Sequence, residues 1–500
     1  MKPILPELKD NSERPLYIQL YDYLKSEILE GQILEGEKLP SLRKLAADLG
    51  LSVTTIELAY QQLLVEGYVT SRPQSGYYVA KVAGGRGAGP GPAGSPERAQ
   101  VSFENYPFEE PKFLCDLDSF DFVKWKKCMA AVLNERPDLL LYESDPQGER
   151  MLRYEISQYI YTSRGVQCSP DQIVIAAGTQ QLTNHLARIL RRMKIDHVAT
   201  EEPGYLPVQN IFQDLGFSLT RVPVAEDGIA IEKLPVNIPC AVYVCPQNQF
   251  PTGAVMPAGR RYALLAWARE NQSIILEDDY DSELRYFGRP VPALQGLDEE
   301  GTHVVYFGSF SSTLFPAIKI SYMVLPPHMA EIFRSFMSSD DQTCSKCEQL
   351  TLAMFMERGY YYTSIRKMRN LYAAKLQAVL AALRKYAGDF VTPMNTRSGI
   401  NIILRVRADS SQTAYRQTKH AGTPEAGAGE GAAQVIANHA EYAARLSRLA
   451  AGLSLNVAPV QGLAASDGFG DIYLSLYYNQ IPLEKIDDCI RELIGSWHEK

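Results

Sequence analysis

The sequence predicts an α/β protein in two parts, a small helical head closed by a hairpin and a larger body built on a mainly parallel sheet. Three observations carry this expectation. Between residues 14 and 80, three helical periodicities follow one another and end in two short β-type runs around a Ser/Gly turn. Residues 81–104 contain the run Gly84-Gly85-Arg86-Gly87-Ala88-Gly89-Pro90-Gly91-Pro92-Ala93-Gly94-Ser95-Pro96, which has almost no side chain to bury and reads as a flexible tether. From residue 105 to 500, apolar runs alternate with helical patterns, as strands linked by crossover helices require.

The bulk properties are those of a globular chain. Five hundred residues exceed one core and suggest about three folding units, two of which can form one larger module. Apolar content of 46% and charged content of 22% are ordinary. The first ten residues have no apolar export segment, and no run approaches the roughly 18 apolar residues of a membrane span, so a cytoplasmic protein without membrane contact is expected. Eight scattered cysteines suggest reduced thiols. Cys344 and Cys347 make the lone CxxC; without a second pair nearby it reads as part of a helix start, and no metal is assigned. A net charge of −8 gives no general affinity for nucleic acid, so any DNA contact must come from a local face.

In the head, Leu20, Leu24 and Ile28 recur at helical spacing with Tyr17 and Tyr21 alongside, and Gly31 follows, which predicts a helix over residues 17–30. A second starts at Pro40-Ser41, where Ser41 caps, runs through Leu42, Leu45, Ala46 and Leu49, and stops at Gly50. A third follows the cap Ser52, places Ile56, Ala59, Tyr60 and Leu63 on one face, and ends at Gly67. Two short helices across a tight Gly-containing turn make a helix-turn-helix, with Val53, Thr54 and Thr55 at the exposed start of the second. The runs Tyr68-Val69-Thr70 and Tyr77-Tyr78-Val79 read as a hairpin wing. Three helices and a hairpin also fit a protein-interaction module; the residue detail favours double-stranded DNA.

That detail is Leu39-Pro40-Ser41-x-Arg43-x-Leu45-Ala46, Ser52-x-Thr54-Thr55, Glu66-Gly67-Tyr68 and Ser75-Gly76-Tyr77, which resembles the GntR family of bacterial repressors and activators. The resemblance implies an operator-binding set of Ser41, Arg43, Ser52, Thr54, Thr55 and Gly76. Arg43 would reach a base or phosphate, Ser52, Thr54 and Thr55 would meet phosphate or base edges, and Gly76 would let the wing approach the minor groove. The local alternatives are a Ser52 that only caps and an Arg43 that is only solvated. Many relatives place an arginine where this chain has Val53. Residues 1–80 carry eight Lys/Arg against eleven Asp/Glu, a net of −3, so non-specific DNA affinity should be modest and salt-sensitive.

In the body, ligands to a parallel sheet gather at the C-terminal ends of strands. After the strand-like run 172–176 come Gly178-Thr179-Gln180-Gln181 and a helix, a start whose N–H groups can hold a phosphate. Glu202-Pro203-Gly204-Tyr205 puts a ring after a turn, for stacking on a planar ligand or for ordinary packing. Cys245-Pro246-Gln247-Asn248-Gln249-Phe250-Pro251-Thr252-Gly253 follows the strand at 241–244. The run 273–276 leads into Glu277-Asp278-Asp279-Tyr280-Asp281-Ser282-Glu283, either a solvated loop or the source of a carboxylate that keeps a pyridine nitrogen protonated. The run 304–307 leads into Gly308-Ser309-Phe310-Ser311-Ser312-Thr313, a turn of backbone N–H groups and hydroxyls suited to an anion. Strands are also expected at 400–406 and 471–476, with a low-complexity surface loop at 421–433 between them.

These stretches stand in the order found in fold-type I aminotransferases, which use pyridoxal 5′-phosphate, and with the head attached the chain resembles the MocR family, also called GabR-like regulators. Tyr286-x-Gly288-Arg289-Pro290 and Ile365-Arg366-Lys367-Met368-Arg369 add to the match. The resemblance implies an effector and dimerisation body over residues 105–500, with a smaller C-terminal α+β subdomain from about residue 385. It implies a homodimer and a small-molecule effector. By it Thr179, Gln180, Ser309 and Ser311 would hold phosphate, Tyr205 would stack on the ring, Asp278 would pair with the ring nitrogen and Tyr280 would approach the phenolic oxygen. Asn248 sits where relatives often have histidine.

The departures concentrate at the chemistry. Ser312 stands where the family's lysine attaches the cofactor as a Schiff base. Lys319 stands where an arginine normally grips the phosphate and is expected among the cofactor-binding residues with Asn248, and Gly470 occupies the approximate position of the arginine that binds an amino-acid carboxylate. The expectation is therefore a transcriptional regulator whose body senses pyridoxal phosphate, an amino-acid adduct of it or a replacement ligand, held non-covalently and without a catalytic residue. The alternative is an active aminotransferase with an accessory DNA-binding domain. A serine engineered to trap a non-covalent state would look the same at position 312 alone; the changes at Lys319 and Gly470 favour natural loss.

Overall fold

The computed structural model describes residues 14–72, 75–81, 112–114, 116–286, 291–394, 396–407, 428–460 and 471–498, with backbone only over 428–438. The expected linker beyond residue 81, Gly288, Arg289, Pro290, the low-complexity residues 421–427 and Gly470 lie outside the described residues. Tertiary contacts divide the chain into Met1–Glu109 and Glu110–Lys500.

In the first unit, α1 spans Leu16–Leu29, α2 Leu42–Leu49 and α3 Val53–Val65. Their apolar faces close on one core of Leu20, Leu24, Leu45, Ile56, Tyr60 and Leu63. Both predicted caps form: Ser41 Oγ accepts from the Lys44 N–H at 3.3 Å and Ser52 Oγ from the Thr55 N–H at 3.1 Å. Gly50 ends α2 in the left-handed region at φ 65°, which sets the tight turn into α3. The wing is an antiparallel pair, β1 at Val69–Arg72 and β2 at Gly76–Val79, with Val69 opposite Val79. A bridge from Lys38 to Tyr78 ties it to the segment before α2.

The second unit opens with α4 at Phe122–Glu135 and α5 at Arg150–Arg164. Then strands and helices alternate: β3 Ile173–Ala177, α6 Thr179–Arg192, β4 His197–Glu202, α7 Leu206–Asp214, β5 Ser218–Ala225, β6 Gly228–Ile229, β7 Ala241–Val244, α8 Ala258–Glu270, β8 Ile274–Asp278, α9 Leu294–Leu297, β9 Val304–Ser309 and β10 Ile320–Val324. They form one eight-stranded sheet in the order β3-β10-β9-β8-β7-β4-β5-β6. It is parallel from β9 through β5, while β10 runs antiparallel to β3 and β9. Residues of β7 are buried throughout, which is why this strand reads as an unbroken apolar run.

Helices α10 (Pro327–Met337), α11 (Lys346–Glu357) and α12 (Tyr360–Tyr386) follow. Helix α12 leads into a four-stranded antiparallel sheet, β11 (Val391–Met394), β12 (Ile402–Val406), β13 (Val457–Pro459) and β14 (Ile472–Leu476), in the order β11-β12-β14-β13. Helices α13 (Ala428–Gly452) and α14 (Ile486–His498) complete this smaller α+β layer, whose core includes Leu376, Val379, Leu404, Leu474 and Ile490. The strand expected from residue 400 begins at Ile402, because Gly399, at φ 84°, turns the chain first.

Candidate functional site

The C-terminal end of β8 sorts the acidic run by strand alternation, which sends successive side chains to opposite faces. Glu277 faces away from the cavity and accepts the Leu294 and Gln295 N–H groups at 2.7 and 3.0 Å, with Arg261 Nη1 3.7 Å away. Asp279, on the same side, takes a two-pronged contact from Arg164, Nε to Oδ2 at 2.6 Å and Nη2 to Oδ1 at 3.0 Å, and a hydrogen bond from the Tyr306 hydroxyl at 2.7 Å. Asp278 lies between them, accepts from the Tyr243 hydroxyl of the neighbouring β7, and lines a cavity of about 260 Å³. These acids are buried rather than forming a solvated loop.

Around that cavity stand Tyr205, Phe250 and Tyr280 as rings, and Thr179 and Ser309 as hydroxyls. Thr179 opens α6 after Gly178, which offers no capping side chain, so the first N–H groups of this helix have no intrahelical acceptor. Ser309 ends β9; its Oγ accepts from the Ser321 hydroxyl at 3.0 Å and from the Ser311 N–H at 3.3 Å. The loop 245–253 is held by Gln249, whose Nε2 donates to the Pro203 and Phe250 carbonyls at 2.8 and 2.7 Å and to Glu201 Oε2 at 3.3 Å. That brings Asn248 within 3.4 Å of the Tyr280 hydroxyl.

The small subdomain supplies the remaining wall, through Ile400, Asn401 and Tyr477. Ser398 donates to Asn248 Oδ1 at 3.3 Å, and the Gly399 carbonyl accepts from the Tyr286 and Tyr478 hydroxyls at 2.7 and 2.5 Å. A side chain at residue 399 would put its Cβ 3.2 Å from Asn248 Nδ2, so this close approach favours glycine.

The cavity therefore brings together Thr179, Tyr205, Asp278, Tyr280, Ser309 and Ser312, with Asn248 behind Tyr280. Ser311 lines a neighbouring cavity of about 360 Å³ that shares Ser312 and Ile400 with the first. Gln180 is exposed on α6. Lys319 is exposed as well, in a left-handed conformation at φ 49° after the turn Pro316–Ile318, and does not line the cavity. Among the described residues, none that lines the cavity is a lysine, arginine or histidine.

In the head, Arg43 and Thr54 are exposed, Thr55 is half-buried, and Ser41 and Ser52 are exposed residues whose hydroxyls serve as caps. Val53 is exposed at the first position of α3. At φ 113°, Gly76 begins β2 in a conformation that side chains rarely adopt.

Two family models match: "Bacterial regulatory proteins, gntR family" over residues 16–79, and "Aminotransferase class I and II" over residues 116–419. The uncharacterised HTH-type transcriptional regulator YdeL of Bacillus subtilis (strain 168) is 39% identical, over 81% of this chain and 86% of its own length. The probable rhizopine catabolism regulatory protein MocR of Rhizobium meliloti is 33% identical, over 83% of this chain and 87% of its own. The chain belongs to the MocR-like family of transcriptional regulators. Its fold is also that of Thermus thermophilus LysN, an α-aminoadipate aminotransferase, with a TM-score of 0.60 at 22% identity, covering 77% of this chain and 90% of that one. Among the described residues, no helix is long and apolar enough to cross a membrane.

The MocR-like chain is thus a DNA-binding transcriptional regulator with an aminotransferase-like domain. Its body buries several carboxyls, four of them from the acidic run 277–283 and one, Glu201, from the end of β4. Burial pushes Glu201 up to about 8, Glu277 and Glu283 up to about 7, and Asp278 and Asp281 up to about 6. A folded state with raised carboxyl values binds more protons than the unfolded chain, so stability is lost as pH rises through the interval between the two. Burial lowers His185 and His328, which act in the opposite direction, but they are fewer. The ligand-free body is therefore expected to melt at a lower temperature at about pH 8 than at about pH 5.5; a rise would contradict this sign.

Sequence reasoning missed Arg164, Tyr243, Tyr306, Ser398, Asn401 and Tyr477. Arg164 and Tyr306 lie in ordinary helical and strand patterns, and no spacing links them to Asp279. The small-subdomain residues reach the cavity only through tertiary packing. One signal was available, the polar Ser398 and Asn401 beside Gly399 immediately before an apolar strand.

Proposed function

We propose that the body of this regulator is a sensor that holds a phosphorylated pyridine, pyridoxal 5′-phosphate or a relative of it, without covalent attachment. The observation that carries this reading is a cavity lined by aromatic rings, a carboxyl, hydroxyls and Ser312, with no lysine among the described lining residues. The residues fit such a group. Asp278 would pair with the ring nitrogen, Tyr205 would stack, Tyr280 and Asn248 would meet the phenolic oxygen, and the α6 start with Thr179 and Ser309 would take the phosphate. When bound, the group supplies an electron-withdrawing ring, and the chain's own residues bind and orient it.

Regulation then requires that the ligand favour one arrangement of the DNA-reading heads over another. A homodimer would present two heads to paired half-sites of double-stranded operator DNA. The heads would use Arg43, Thr54 and Thr55, with Gly76 in the wing. This reading is supported by the exposed start of α3 and by the family's regulators.

The test is reduction with borohydride after mixing with pyridoxal phosphate, followed by peptide mass spectrometry and, separately, calorimetry. Reversible binding with no stoichiometric adduct is expected, lost on Asp278→Ala. A stoichiometric adduct on a lysine would instead favour an active aminotransferase with an accessory DNA-binding domain.

A further inference from the structure

Asp281 stands apart from the other acids of its run. It adopts φ 57° just beyond β8, lines the same cavity as Asp278, and is 4% exposed. Ser312 is its side-chain hydrogen-bond partner, and its Oδ1 is buried with none. A buried carboxylate oxygen without a donor is costly, and the cost falls when a cation or a strong donor arrives. Among the described residues no basic side chain forms an ion pair with Asp281, and none lines the cavity.

The lysines that could be imagined in that role are committed elsewhere. Lys375 is fully buried but bonds to Asp116 and, at 2.7 Å, to the Asn479 carbonyl. Lys319 is exposed. Ser312 is also where the ring cavity and its neighbour meet, so the short side chain leaves space beside the carboxylate. Burial raises Asp281 to about 6, which still leaves it ionised near pH 7.5. Among the described lining residues, Asp278 and Asp281 then give two negative charges and no positive one.

We infer that this site selects a phosphorylated pyridine carrying its own primary amine, whose ammonium docks on Asp281 and Ser312 in place of a lysine of the chain. The inference rests on the ring-binding reading above and deepens it. An aldehyde-bearing ring offers the Asp281 oxygen no donor, and a hydroxymethyl-bearing ring offers a neutral one. An ammonium offers a charge-assisted bond in a water-poor site, where such bonds are about twice as strong as neutral ones.

The experiment is calorimetry on the full chain at pH 7.5 with pyridoxamine 5′-phosphate, pyridoxine 5′-phosphate and pyridoxal 5′-phosphate. Pyridoxamine phosphate is expected to bind about tenfold or more tightly than pyridoxine phosphate, its neutral near-isostere, a difference of about 1.4 kcal/mol. Asp281→Asn should abolish that preference. Ser312→Lys, which supplies an ammonium from the chain, should abolish it as well and keeps the test open if the first variant does not fold. Equal affinities, or a preference that survives either substitution in folded protein, would overturn the amine assignment while leaving the ring pocket intact. Failure of all three ligands to bind would overturn the ring-binding reading and this inference with it.

Discussion

Replacing Arg164 with alanine is expected to cost the body about 3–5 kcal/mol, because it strands Asp279 as an unpaired buried charge. Arg164 and Asp279 are 4% and 0% exposed, and each prong of their contact is within hydrogen-bond distance. Arg164 Nη1 also donates to the Val291 carbonyl at 2.9 Å, so its loss leaves a second acceptor unmet. All three tryptophans, Trp125, Trp267 and Trp497, lie in the body, so their fluorescence during guanidinium unfolding reports this domain without the head. Changing both partners, Arg164→Met with Asp279→Leu, should recover much of the loss, since neither charge is then left buried. A single-variant loss below about 1 kcal/mol would mean that water or a rearranged neighbour compensates Asp279.

Arg43→Ala is expected to abolish the operator complex in a gel-shift assay while leaving the melting of the head unchanged. Arg43 is exposed at the second position of α2, outside the helix's buried residues Leu45 and Ala46, so truncation should leave the fold intact. The head carries a net charge of −3 over residues 1–80, which leaves it few positive groups to replace a lost contact. Exposed Val53 adds none at the start of α3. The loss should remain at low salt if Arg43 reads a base and ease at low salt if it meets phosphate. An unchanged shift at every salt concentration would remove Arg43 from the DNA-reading face.

The head was legible in the sequence almost residue by residue, because its signals are local. Ser41, Gly50 and Ser52 mark helix ends through bonds to their own neighbours, and the wing follows from two β-type runs around a turn. In the body, β3, β7, β8, β9, β12 and β14 were readable as apolar runs, whereas β4, β5, β6, β10, β11 and β13 carry mixed or very short runs and were not expected. The division of labour within Glu277-Asp278-Asp279-Tyr280-Asp281 was not readable either. Each acid's role depends on a partner far along the chain: Arg261 for Glu277, Tyr243 for Asp278, Arg164 for Asp279 and Ser312 for Asp281. Lys319 shows the converse limit. Its place in the motif suggested phosphate, whereas its backbone conformation carries an exposed side chain outside the cavity lining.

The alternation along β8 also bears on how such a body can change over time. Positions 277 and 279 anchor the architecture through buried partners on one face, while position 278 lines the cavity from the other. A substitution on the cavity side of this strand can therefore leave the buried contacts of Glu277 and Asp279 untouched. Selection for foldedness and selection on the cavity lining then act on alternate residues of the same strand.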